Sequence, residues 1–219
     1  MFPIRDHNPS STTPYVSYGL IALNVLIFFS YQGLGGENLA SFYENYAVIP
    51  AHIVAGQDLG TLLSHMFLHG GWMHLGGNML FLYIFGDNLE HRFGHIKFLL
   101  FYLACGLGAA FAQILMQAES TIPSLGASGA IAGVMGGYLW LYPNAKVDTI
   151  IPLGIVFKRV TLPAFTMLGY WFFLQLYSGT LSIGLTGGGV AYWAHTGGFV
   201  VGFLLTLILS GKKRLASPS

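Results

Sequence analysis

All nine Lys and Arg residues of this chain fall in alternate gaps between its apolar stretches. Six such stretches can be marked, at about 14–32, 68–89, 96–117, 127–142, 160–178 and 191–210. Arg5 precedes the first, and Arg92 and Lys97 lie at the junction of the second and third. Lys146, Lys158 and Arg159 lie between the fourth and fifth, and Lys212, Lys213 and Arg214 follow the sixth. None falls in 33–67, 118–126 or 179–190. An odd number of spans would scatter these charges over both sides. Even numbering with a positive-inside bias predicts both termini on the cytoplasmic side. The expected fold class is therefore all-α: a polytopic bundle of six transmembrane helices, most of them near the ~20 residues a span needs.

Composition argues the same way. Charged residues make up 8% of the chain and hydrophobic ones 54%, whereas a soluble domain carries about 25% charge. The expectation is an integral, multi-pass protein in contact with the lipid bilayer. A net charge of +1 gives no electrostatic case for nucleic acid. Cys105 stands alone, so neither a disulfide framework nor a cysteine metal site is expected. Tyr15–Tyr31 has no small-residue cleavage site and five more stretches follow, so it reads as a signal anchor. With no transit-peptide pattern, the expected compartment is a bacterial inner membrane. One domain covers 1–219, with a polar cytoplasmic tail at 211–219.

Two connections are unusual. The long first outside loop, 34–66, holds Phe42, Tyr43, Tyr46, Val48, Ile49, Ile53 and Val54 but only three charges, Glu37, Glu44 and Asp58. That pattern suits a partly inserted, interfacial structure. The stretch 147–157 is apolar but interrupted by Pro152 and Gly154 and stopped by Lys158-Arg159, and reads as a segment on the cytoplasmic surface.

Polar residues inside apolar segments are costly in hydrocarbon and mark function by default. Ser128 opens the fourth stretch and His195 lies near the outer end of the sixth. From Ser128 to Tyr142 is fifteen residues, roughly 22 Å of helix against a core of about 30 Å. With Tyr142 at the cytoplasmic boundary, Ser128 sits below the outer surface, at a depth comparable to His195. Non-helical backbone before it, 121–127, is tolerable there only where it lines a water-filled cavity. Gly126, Gly129 and Gly133 clear one face, and Ala194, Gly198 and Gly202 clear another, so the two segments can bring a serine nucleophile and a histidine base together. The plainer reading is that these glycines only pack helices and Ser128 bonds its own backbone.

His69, His74 and Asn78 form a third polar set. His74 and Asn78 are four apart and share a helix face, where they can donate hydrogen bonds to an oxyanion. The alternative makes the histidines interfacial and Asn78 a helix-to-helix contact. A metal site from His65, His69 and His74 is weighed and set aside: no carboxylate joins them and no H-E-x-x-H pattern exists. No cofactor is expected.

These motifs resemble the rhomboid intramembrane serine proteases. The matching residues are His69-x-x-x-x-His74-x-x-x-Asn78, Gly126-x-Ser128-Gly129, Ala194-His195-x-x-Gly198-x-x-x-Gly202 and Gly86-x-x-x-Glu90-x-x-x-Gly94. The resemblance covers about 14–210 and implies the minimal six-helix form. It implies Ser128 as nucleophile and His195 as general base. His74, Asn78 and the Ser128 backbone N–H would form the oxyanion hole, and His69, Gly126, Gly129 and Gly198 would support the site. Glu90 and Arg92 would be structural. The implied substrates are membrane proteins cut at or near a transmembrane segment. The runner-up is a non-catalytic rhomboid-like protein that binds membrane clients; a transporter or channel is disfavoured because Asp87 and Glu90 sit near the cytoplasmic boundary. Two departures stand out. Some members carry Trp-Arg shortly before the position of His69, where this chain reads Asp58-Leu59-Gly60-Thr61. Some carry an aromatic four residues past the serine that stacks on the histidine, where this chain has Ala132.

Overall fold

A computed structural model describes residues 1–154, 156–183 and 189–210. The tail 211–219, with Lys212, Lys213 and Arg214, and part of the loop 179–190 lie outside the described residues. Each of the six apolar stretches contains one long helix: α1 (Tyr15–Tyr31), α5 (Trp72–Phe93), α6 (His95–Met116), α7 (Ser128–Leu141), α8 (Ala164–Leu181) and α9 (Tyr192–Ser210). By length and composition, α6 and α9 are long and apolar enough to cross a membrane, and α1 and α7 are shorter apolar helices.

The all-α expectation requires correction. A three-stranded antiparallel sheet, in the order β1-β2-β3, covers one end of the bundle: β1 is Phe2–Asp6, β2 Lys146–Leu153 and β3 Val156–Pro163. The stretch read as an apolar surface segment is thus mostly a hairpin, with Lys146 opposite Pro163 and Leu153 opposite Val156. The fifth apolar stretch begins at about residue 160, but 160–163 is strand, and α8 starts only after Pro163. Runs of β-branched residues favour this pleated pairing. Asp148 locks it, accepting hydrogen bonds from Thr161 Oγ1 at 2.6 Å and Arg159 at 2.5 Å.

Glu90 organises the same end. Its carboxylate is buried and accepts the backbone N–H groups of Val16 and Ser17, each at 2.8 Å, and the Ser17 hydroxyl. These are free donors of the first turn of α1, where the helix dipole also favours an anion. Gly94, at φ 78°, turns the chain between α5 and α6 in one residue, a conformation L side chains rarely adopt. Asp6 ties β1 to the bundle by accepting from Tyr138 Oη at 2.8 Å and Asn88 Nδ2 at 3.0 Å.

At the opposite end, the loop 34–66 is built from α2 (Gly36–Tyr46), α3 (Pro50–Val54), α4 (Thr61–Ser64) and a 3-10 turn, His65–Phe67. The loop is fastened by backbone pairing. Val48 and Ser124 exchange N–H···O bonds of 3.0 and 2.7 Å, and Ala51 N–H donates to the Ser120 carbonyl. Tyr31 of α1 stacks on Phe42 of α2, with ring centroids 4.6 Å apart.

Candidate active site

α7 and α9 meet backbone to backbone. A Cβ on Gly198 would collide with the Gly129 carbonyl, and one on Gly202 with the Gly133 carbonyl. Gly133 also faces Cys105 of α6 and Gly129 faces Ala109, so α6 packs against the same seam. Small residues at four-residue spacing make this approach geometrically available. Its consequence at the N-terminal ends of both helices is a hydrogen bond: Ser128 Oγ lies 2.7 Å from His195 Nε2.

The other ring nitrogen, Nδ1, lies 2.8 Å from Gln175 Oε1 on α8. Trp171, one turn earlier on α8, sets its ring centroid 5.8 Å from that of His195, with the planes 32° apart. Sequence reasoning missed both residues. The available signal was Gln175 itself, a lone amide in an apolar stretch.

Gly126 stands before α7 rather than on its face. Its φ of 135° lies in the region that favours glycine, and its N–H donates to the His65 carbonyl at 2.9 Å. A Cβ there would stand 2.8 Å from His74 Nε2 and 3.3 Å from Ser128 Oγ. Glycine is therefore required twice, by backbone angle and by the approach of His74. Burial pushes the His65 imidazole down to about 4, so it is neutral and holds the Thr61 carbonyl through Nδ1 at 2.9 Å. That turn fixes the level of Gly126.

His74 and Asn78 both line the cavity that Ser128 and His195 border, about 930 Å3 in volume. His74 Nδ1 accepts from the Gly70 N–H at 3.3 Å. A neutral imidazole has one N–H, so this bond leaves the proton on Nε2, beside Gly126. Asn78 Nδ2 is buried and has no hydrogen-bond partner among the described residues. The N–H of Ser128, among the first in α7, has no acceptor within its own helix. His74 and Asn78 thus bring N–H groups to the cavity that Ser128 also lines. His69 is fully buried one ring behind, edge-on to His74 at 5.1 Å, with its backbone carbonyl accepting from Tyr31 Oη at 2.9 Å. The irregular backbone before Ser128 lines the same cavity through Ile122, Pro123, Ser124 and Leu125. Among the described residues, no group of three or more His, Cys, Asp or Glu side chains is placed to hold a metal.

A rhomboid domain model matches residues 56–212. The chain belongs to the rhomboid family. It is 35% identical over 163 residues to RHOMBOID-like protein 4 of Arabidopsis thaliana, covering 72% of this chain and 36% of that one. It is 34% identical over 128 residues to Rhomboid protease GluP of Bacillus subtilis, covering 58% and 25%. Against Rhomboid protease AarA of Providencia stuartii it is 26% identical over 204 residues, covering 86% and 70%. The chain spans between about a quarter and a half of the length of several rhomboid relatives it matches. Ala132, four residues past Ser128, is a buried alanine, and Trp171 supplies a ring to His195 from another helix.

Proposed function

We propose that this rhomboid is an intramembrane serine endopeptidase that cleaves membrane proteins at or near a transmembrane segment, with Ser128 as nucleophile and His195 as base. The observation that carries this reading is the 2.7 Å contact between Ser128 Oγ and His195 Nε2. Ser128 Oγ–H donates to Nε2; as Oγ attacks a peptide carbonyl, the proton passes to Nε2, and His195 returns it to the leaving amine. The carbonyl oxygen becomes an oxyanion facing His74 Nε2–H, Asn78 Nδ2–H and the Ser128 N–H, donors in place before the reaction begins. Gly126 leaves room for the scissile backbone to approach, and the cavity of about 930 Å3 admits the water that hydrolyses the acyl-enzyme.

In this reading the six long helices cross the bilayer and both termini face the cytoplasm, because the nine Lys and Arg residues mark that side. A substrate helix hydrogen-bonds its own carbonyls, so it must unwind before attack. Gly or Pro in the substrate segment lowers that penalty by about 1 or 3 kcal/mol relative to Ala, and the crowded surroundings of Ser128 favour a small residue before the cut.

The test is cleavage of a panel of single-span substrates in liposomes, with fluorophosphonate labelling in parallel. Cleavage and labelling by the parent protein, both lost in Ser128→Ala, are the expected result. Substantial cleavage by Ser128→Ala would overturn the assignment.

A further inference from the structure

We infer that Gln175 is a positioning residue that holds His195 in the tautomer the reaction needs, with Trp171 backing the ring from the same helix. This rests on the reading of His195 as the base.

A neutral imidazole carries one N–H and one lone pair. Nε2 can take the serine proton only if the ring hydrogen sits on Nδ1. The side-chain carbonyl of an amide only accepts, so Gln175 Oε1, 2.8 Å from Nδ1, selects that tautomer and orients Nε2 toward Ser128. In the Ser-His-Asp arrangement a carboxylate fixes the tautomer and also stabilises the imidazolium. A neutral amide supplies the first function and little of the second.

Two further observations support the assignment. Gln175 lies in an apolar helix whose buried residues are only Ala164, Met167, Leu168 and Gly179. An amide there needs a partner, since an unsatisfied polar group in hydrocarbon costs several kcal/mol, and His195 is the partner it has. Trp171 and Gln175 are four apart, hence on one helix face, and meet one ring from different directions: the amide at its Nδ1 edge, the indole at 5.8 Å and 32°. On α7 itself, four residues past Ser128, this chain has only Ala132. In this chain the ring and the amide that meet His195 both come from α8.

The experiment compares the parent with Gln175→Met, which keeps the volume but removes the acceptor, and Gln175→Glu, which keeps an acceptor at that position. We expect kcat to fall about tenfold or more in Gln175→Met with KM within about twofold, the pattern of a group acting in the transition state rather than in binding. Gln175→Glu should hold kcat within about threefold of the parent. The second readout is 15N NMR of histidine-labelled protein. The parent should show His195 with the proton on Nδ1, and Gln175→Met should lose that preference. An unchanged tautomer and kcat in Gln175→Met would overturn the proposal, as would an Nε2–H His195 in the parent. The tautomer is read whether or not any substrate is cut, so failure of the protease reading and failure of the Gln175 role are distinguishable. Should Gln175→Met fail to fold, the parent tautomer and Gln175→Glu still decide.

Discussion

α7 and α8 both meet His195, through Ser128 on one and Gln175 on the other, but they are built on opposite plans. In α7 every residue from Gly129 to Tyr138 is buried, and its glycines press against the backbone of α9. α8 buries four residues and leaves Phe165, Tyr170, Phe173 and Tyr177 exposed. The first plan fixes where Ser128 and the His195 backbone stand; the second touches only how the imidazole is turned. Two tolerances follow. Close backbone contact cannot absorb a methyl group, because interiors are packed to crystal density. A helix that meets the site through two side chains can shift without dismantling the bundle.

Substitutions sharpen that contrast, from the largest effect downward. Ser128→Ala should lower proteolysis by at least about 10³-fold with the fold intact, and adding His195→Ala should cost nothing more, because residues acting as one unit are non-additive. Additive losses, read as cleavage rates in liposomes, would show that the two do not form a unit. Asn78→Ala should lower kcat by up to about 10²-fold with little change in KM. A single oxyanion donor is worth about 10²–10³, and His74 and the Ser128 N–H remain. If neither Asn78→Ala nor His74→Ala alters turnover, the oxyanion is held elsewhere.

A matched glycine pair tests the packing contrast itself. Gly198→Ala puts a methyl into the Gly129 carbonyl and should destabilise by about 1–3 kcal/mol. Gly169→Ala on α8 meets nothing within 4 Å and should stabilise by about 0.5–1 kcal/mol, the helix preference of Ala over Gly. Thermal unfolding in detergent measures both, and equal shifts would erase the distinction between the helices.

The last expectation concerns the anchorage of α8, which begins where β3 ends. Hydrogen bonds from Thr161 and Arg159 hold the Asp148 carboxyl well below the usual carboxylate range. A depressed folded-state pKa contributes stability that is fully present above the unfolded value of ~3.9 and is lost as the pH falls below it. Asp148→Asn should remove that acid sensitivity, flattening stability against pH by about one proton between pH ~4 and ~2. An identical acid profile in the variant would show that the hairpin does not depend on this carboxylate.

The sequence by itself determined the elements whose signal is local. Each long apolar stretch became one helix because a helix satisfies its own backbone within the segment. The G-x-x-x-G spacing became the α7–α9 seam because residues four apart share a helix face. Ser128, His195, His74 and Asn78 were legible as polar groups in apolar surroundings, and the structure brings them to one cavity. Only the tertiary structure decided the rest, because it depends on partners far away in the chain. The sheet joins Phe2 to Ile150, and strand pairing leaves no local period long enough to override an apolar reading of 147–157. Gly126 looked like part of a helix face; its place before α7 and its contact with His74 depend on how α5 packs. Gln175 meets His195 twenty residues on only because α8 and α9 pack side by side. A lone glutamine in an apolar stretch signals that a partner is needed; the packing of neighbouring helices decides which partner it meets.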